Sequence, residues 1–207
     1  MLDATMRKLI DPPLNAAGAM LARKGVSADF VTIVGLVFGL IAAGFVVIEA
    51  HTLALAFILL SRIADGLDGA IARASQRTDF GGYLDITCDF LFYGAIPMAF
   101  VIADPSTNGA AGAVLLTSFY FNGASFLGYA ILAQKRGLET AAQGVKSLYY
   151  SNGLLEGTET IVFFVLLCLF PASFPMLALI FGALCFLTGA LRLFGARRLF
   201  VSCKEMR

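Results

Sequence analysis

Between Val31 and Leu193 the chain is a succession of apolar stretches of almost bilayer-spanning length, and this limits what it can fold into more than any other feature. A helix crossing a hydrocarbon core about 30 Å thick needs roughly 20 residues. Six stretches approach that length: Val31–Ile48, Leu53–Ile71, Tyr83–Ala103, Ala110–Leu132, Ile161–Phe170 with a polar extension back to Leu154, and Phe174–Leu193. Only 14% of the 207 residues are charged, against about 25% in a soluble domain. The expected fold is therefore an all-α integral membrane protein with six transmembrane helices. Ahead of them, residues 1–24 alternate Leu2, Met6, Leu9, Ile10, Leu14 and Leu21 with Arg7, Lys8, Arg23 and Lys24. That pattern suits a segment lying on an anionic membrane surface, in which Pro12-Pro13 is expected to break any single helix. No repeat or linker divides the chain, so residues 1–207 are read as one domain, 25–207 forming the bundle. No signal peptide is recognised at the N-terminus.

The distribution of charge sets the expected orientation. All 15 Lys and Arg fall in or beside the N-terminus, the 73–82 turn, the 133–153 loop and the C-terminus, whereas the opposite loops carry Glu49, His51 and Asp104. This positive-inside bias places both termini on the cytoplasmic face. Cys88, Cys168, Cys185 and Cys203 form no C-x-x-C pair and fall mostly in apolar runs, where they read as small packing residues. Nothing suggests a nucleic-acid partner.

Within this apolar background, the second and third stretches carry four carboxylates: Asp65, Asp68, Asp85 and Asp89. At about 100° per residue, Asp65 and Asp68 share one helix face. Asp85 and Asp89, one turn apart, share a face of the next helix. A short turn joins the two, so the helices are expected to be antiparallel neighbours with converging carboxylates. Counting ~1.5 Å per residue from Thr52 or Ala103, Asp65 and Asp89 lie ~20 Å from the far side, within the cytoplasmic leaflet. Ionisable groups at such depth usually mark function. Four ionised carboxylates about 5 Å apart would repel by about 3 kcal/mol per pair, roughly 20 in all, at an effective dielectric of about 20. That exceeds the usual stability of a domain, about 5–15 kcal/mol. Protons or metal must neutralise them, and hard oxygen donors without a His or Cys cluster favour Mg²⁺, Mn²⁺ or Ca²⁺.

The run Asp65-x-x-Asp68-Gly69-x-x-Ala72-Arg73, followed by Gly81-x-x-x-Asp85-x-x-x-Asp89, resembles the signature of the CDP-alcohol phosphotransferase (CDP-alcohol phosphatidyltransferase) family. The family pattern usually places eight residues between the Arg and the second Gly; here seven, Ala74–Phe80, intervene. The resemblance implies two Mg²⁺ or Mn²⁺ ions, the first held by Asp65, Asp68 and Asp85, the second contacted by Asp65, Asp85 and Asp89. Two adjacent ions would neutralise attacking and leaving oxygens during transfer at phosphorus. It further implies that Asp89 takes the proton of the acceptor hydroxyl. Arg73 would meet the diphosphate through its guanidinium fork, although it also serves the positive-inside bias. Gly69, Ala72 and Gly81 would let nucleotide and backbone approach closely, or simply allow tight helix packing. Ser27-Ala28-Asp29-Phe30-Val31-Thr32 is similar to the family's entry to the first span, with Ala28 in place of Pro. There Asp29 and Thr32 either line a cytidine pocket or cap the helix. Thr78 stands where relatives have a Ser or Thr near the nucleotide.

The activity implied is transfer of the phosphatidyl group of CDP-diacylglycerol to a small polar alcohol with release of CMP, by a homodimer in a bacterial-type inner membrane with its site facing the cytoplasm. Phosphocholine or phosphoethanolamine transfer to diacylglycerol is an alternative within the class, although that branch tends to be longer. A divalent-cation transporter is an alternative outside it, opposed by the apolar outer halves Leu53–Leu60 and Ala95–Ile102. The acceptor stays open among glycerol phosphate, inositol phosphate, serine and others. Lys135, Arg136, Lys146 and Arg192 suit a phosphorylated polyol, yet Phe90 follows Asp89 where inositol-phosphate-using relatives tend to have Arg. Phe92-Tyr93-Gly94-Ala95-Ile96-Pro97 is distantly similar to a run in serine-using members. Glu156 and Glu159 could contact an acceptor, or act as acids favoured at a helix N-terminus.

Overall fold

The computed structural model describes residues 3–136, 155 and 157–202, with side chains for 10–136, 155 and 157–200. Lys146, Leu154, Glu156, Cys203, Lys204 and Arg207 lie outside the described residues. Among the described residues the chain is helical, without strands: α1 (Asp3–Arg23), α2 (Ala28–Val47), α3 (His51–Ala74), α4 (Asp79–Ala103), α5 (Pro105–Lys135), α6 (Gly157–Leu169) and α7 (Phe174–Ser202). A single 3₁₀ turn, Pro171–Ser173, joins the last two.

Among the described residues four helices, α2, α4, α5 and α7, are long and apolar enough to cross a bilayer. The chain is a multi-pass membrane protein. α3 has 24 residues, about 36 Å of helix, but carries Arg62, Asp65, Asp68 and Arg73. α6 has 13 residues.

Helix starts lie upstream of the apolar runs because polar residues cap them. Ser27 Oγ accepts the Phe30 amide at α2, and Thr78 Oγ1 accepts the Gly81 amide at α4. At α5, Asp104 accepts the Thr107 amide and Pro105 occupies the first turn, so the helix begins five residues before the expected Ala110. These side chains satisfy amides that the helix leaves unpaired.

The expectation that Pro12-Pro13 would break the N-terminal segment is corrected: α1 runs through both prolines. Each proline lacks the amide that would bond four residues back, and the pair sits on the exposed side of the helix. Tertiary packing holds the following turns. A Cβ on Gly18 would lie 2.6 Å from Ala70 Cβ, and one on Gly66 would lie 2.7 Å from Leu14 Cδ1. Glycine at these two crossings lets α1 lie close along α3.

α2 is the element on which the others assemble. Its buried residues are Thr32, Gly35, Gly39, Ala42 and Val46, a stripe of small side chains at helical spacing that admits close helix approach. α3 and α4 both pack along it. The expected antiparallel pairing of α3 with α4 is made through side chains: Arg62 lies over the Phe92 ring at 4.1 Å, and at the other end of the pair His51 stacks on Phe100. The backbones of the two helices make little mutual contact, and α2 lies against both. α5 and α7 form the other half, packed along each other, with α4 against α5. The apolar core includes Phe92, Phe100, Phe164 and Phe174, with Phe100 stacked on Phe174 and Phe163 on Phe181.

Candidate active site

The site forms at the end of α2 where Ser27 starts the helix. One turn in, Thr32 lies on the buried stripe facing α3. On α3 the buried positions Ser61, Ala64 and Asp68 repeat at helical spacing, so the same face that packs on α2 carries a carboxylate. Ser61 Oγ donates to the Gly35 carbonyl at 2.7 Å and fixes the register of the pair. The Thr32 hydroxyl approaches both the Ala28 carbonyl at 3.1 Å and Asp68 Oδ2 at 2.6 Å. It has one proton to give, and the short contact to the carboxylate takes it.

Asp65 and Asp68 from α3 and Asp85 from α4 offer oxygens that all lie within 4.8 Å of one another. A point equidistant from three atoms at that spacing is about 2.8 Å from each, a few tenths of an ångström beyond Ca²⁺–oxygen distances and somewhat further from Mg²⁺ ones. A small inward movement of the side chains would close on a divalent ion. Three carboxylates are the hard donors such an ion prefers, so the residues present fit it.

Asp89, the fourth carboxylate, stands apart. Its Oδ1 accepts a hydrogen bond from Arg62 Nη1 at 2.8 Å. The same guanidinium nitrogen lies 3.5 Å from Asp65 Oδ1. Arg62 Nη2 donates to Ser61 Oγ at 3.1 Å, and its Cζ sits 4.1 Å above the Phe92 ring.

The remaining expected residues surround this centre. Half-buried Asp29 reaches the start of α4: a Cβ on Gly81 would meet Thr78 Oγ1 at 2.9 Å and Asp29 Oδ1 at 3.0 Å. Asp29, Thr78 and Gly81 thus meet where α2 and α4 begin, and a side chain at position 81 would fill the space between them. Gly69 leaves room for Arg73, whose Nη1 would lie 3.2 Å from an added Cβ. Ala72 is half-buried one turn beyond Asp68. Arg73 is exposed and donates twice to Asn15 Oδ1 of α1, from Nε at 3.2 Å and Nη2 at 2.9 Å.

Two participants escape a reading of sequence alone. Arg62 passes as one more charge in an orientation bias, though its place three residues before Asp65, one helical turn away, sets it beside the carboxylates. Asn15 has no local signal, because only the docking of α1 brings it to Arg73. Of the basic residues considered for an acceptor, Arg192 on α7 donates to the Asn122 carbonyl, Asn122 Oδ1 and Ser125 Oγ of α5. Phe90 turns toward α5, filling the space above Gly123.

A helical membrane bundle in which one buried and two half-buried carboxylates converge from two helices presents a donor set that fits a divalent ion. Residues 26–194 match the CDP-alcohol phosphatidyltransferase family model, and the chain belongs to that family; it is a phosphotransferase of phospholipid synthesis. It is 46% identical over 188 residues to the inner membrane protein YnjF of Escherichia coli, covering 91% of each chain. It is 34% identical to an archaetidylinositol phosphate synthase of Pyrococcus horikoshii over 87 residues, 42% of this chain and 46% of that one. Its fold is similar to that of Mycobacterium tuberculosis phosphatidylinositol phosphate synthase (PgsA1) with CDP-DAG bound, at a TM-score of 0.71 and 19% identity, over 89% of this chain and 93% of that one. A second structure of that synthase, in complex with manganese and citrate, gives a TM-score of 0.64 at 20% identity, over 88% of each chain.

Proposed function

We propose that this chain transfers the phosphatidyl group of CDP-diacylglycerol to a small polar alcohol and releases CMP. The observation that carries the reading is the convergence of Asp65, Asp68 and Asp85 within 4.8 Å in a chain of this family. The likeness in fold to a synthase with CDP-DAG bound supports the choice of lipid nucleotide, and the manganese complex of that synthase supports a divalent metal. α3 and α6 are the two further spans that bring the count to six, with residues 1–24 on the membrane surface and all 207 residues in one domain. The positive-inside bias supports a cytoplasmic site and cytoplasmic termini. An inner-membrane location accords with the E. coli relative's name, and a homodimer is the proposed assembly.

Asp65, Asp68 and Asp85 would hold one Mg²⁺ or Mn²⁺ ion, and Asp65, Asp85 and Asp89 a second. When bound, such ions supply charge neutralisation at the transferring phosphoryl group. The protein's own groups do the rest. Thr32 holds Asp68 by its hydroxyl. Asp29, Thr78 and Gly81 form the floor of the cytidine pocket, with Gly69 and Ala72 leaving space beside it. Arg73 meets the diphosphate, pre-oriented by Asn15. The acceptor oxygen attacks the lipid-linked phosphorus, the bond to the CMP oxygen breaks, and Asp89 takes the hydroxyl proton.

For the acceptor, a phosphorylated polyol is favoured, because relatives in both sequence and fold bear names of inositol phosphate synthases. Phe90 packs on α5 instead of presenting charge, which favours a polyol phosphate other than that of inositol. The test is a panel of acceptors incubated with labelled CDP-diacylglycerol and read by lipid chromatography. Glycerol phosphate should give a labelled product; a product from serine alone, or from diacylglycerol with a soluble CDP-alcohol, would overturn the choice.

A further inference from the structure

The four carboxylates are not equivalent: three converge, and the fourth is held to one side by an arginine. Arg62 takes Asp89 through a 2.8 Å contact and reaches Asp65 at 3.5 Å. Its side chain is 15% exposed and that of Asp89 28%, so the pair is well shielded from solvent and held in a membrane helix. Removing a charge there from all partners is costly, which is why an arginine at this depth must have one.

The other contacts of Arg62 indicate what happens if Asp89 leaves. The guanidinium already lies over the Phe92 ring at 4.1 Å and donates to Ser61 Oγ at 3.1 Å. Both remain when Asp89 turns away, and a cation over an aromatic face in a desolvated setting is a favourable arrangement. Phe92 is fully buried, and Ser61 is fixed by its bond to the Gly35 carbonyl. The Arg62 Nε is buried without a hydrogen-bond partner, so the guanidinium is not locked by a complete set of bonds to its present position. The arginine has a seat of its own and Asp89 is its exchangeable partner.

We propose that Arg62 is an internal stand-in for the second divalent ion, holding Asp89 outside the Asp65–Asp68–Asp85 triplet until that ion takes the carboxylate over. The inference rests on the two-ion reading given above. The triplet is nearly assembled and fills first. The second site is completed only when Asp89 leaves Arg62, so the two ions load in a fixed order. Because Asp89 is also the proton acceptor, a protein with one ion keeps its base engaged and idle. Arg62 is thus a positioning residue, acting on the reaction through Asp89.

The test is a Mn²⁺ titration of the full-length protein in nanodiscs without CDP-diacylglycerol, with free Mn²⁺ followed by electron paramagnetic resonance. The protein should bind two ions, one tightly and one more weakly. In Arg62→Met, and in Arg62→Gln as a second variant that retains hydrogen bonding, the weaker site should tighten at least tenfold while the tighter one changes less than threefold. Arg62→Lys, which keeps the charge, should stay within about threefold of the parent at both. Thermal unfolding in chelator should fall for Arg62→Met, with saturating Mn²⁺ restoring it. A weaker site that is unchanged or loosened in both neutral variants, with two ions still bound by the parent, would overturn the stand-in role alone. A parent that binds fewer than two ions would overturn the two-ion reading, and this role with it.

Discussion

Replacing Thr32 by valine asks how much the carboxylate site depends on a neighbour that touches no metal. The two side chains have nearly the same shape, so the packing of α2 on α3 should survive. What disappears is the 2.6 Å hydrogen bond to Asp68 Oδ2, with Thr32 at 7% and Asp68 at 5% exposure. Two magnitudes compete. Hydrogen bonds between membrane helices average about 0.6 kcal/mol, which is only about threefold in an equilibrium. Bonds to charged groups contribute about 1.5–3 kcal/mol, and loss of a partner that orients a metal ligand typically costs 10–100-fold in affinity or activity. The acceptor here is a carboxylate proposed as a metal ligand, so the larger figure should win. Thr32→Val should need at least tenfold more Mg²⁺ for half-maximal CMP release in nanodiscs, with Thr32→Ser within threefold of the parent. An unchanged metal requirement combined with a raised KM for CDP-diacylglycerol would refute the reasoning, placing Thr32 on the nucleotide instead.

Further outcomes follow from other contacts. Asp89→Asn should bind CDP-diacylglycerol but lose transfer by at least 10²-fold, the low end of a general-base effect; more than about a tenth of the activity remaining would exclude the base. Arg73→Lys should weaken nucleotide binding without unfolding the chain, since an ammonium cannot give the two parallel bonds of the guanidinium; equal affinity in a binding assay would argue against a diphosphate contact. Asp104 caps α5 with its carboxyl held down to about 2, first by the Ser106 hydroxyl and then by Thr107. A depressed carboxyl pKa adds stability that is complete above the ordinary carboxylate range and is lost as pH falls toward about 2. The difference in thermal unfolding between the parent and Asp104→Ala should therefore stay constant from pH 7 to about 5, and shrink only in stronger acid.

Much of this was legible in the sequence because membrane helices announce themselves by length and composition, and because Asp65, Asp68, Asp85 and Asp89 conflict so openly with their surroundings. Local spacing was enough to pair the carboxylates within each helix. It could not reveal that α3 and α4 both seat on α2, since that depends on the small-residue stripe Thr32–Gly35–Gly39. Nor could it show that Asp89 falls outside the group of three and pairs with Arg62, a residue whose charge had a sufficient explanation elsewhere. The continuity of α1 through Pro12-Pro13 was missed for a related reason. Proline's local cost is plain in sequence, whereas the compensating contacts of Leu14 and Gly18 with α3 are tertiary.

Metal-dependent release of CMP tests the central claim most directly. Purified protein in nanodiscs containing CDP-diacylglycerol would be given glycerol phosphate, with CMP and lipid product measured together across Mg²⁺ and Mn²⁺ concentrations and in chelator. The account predicts equal amounts of CMP and a new phospholipid, both abolished by chelator and both lost in Asp68→Asn and Asp85→Asn. CMP formed at full rate in chelator, or no CMP with any alcohol at saturating metal, would contradict it.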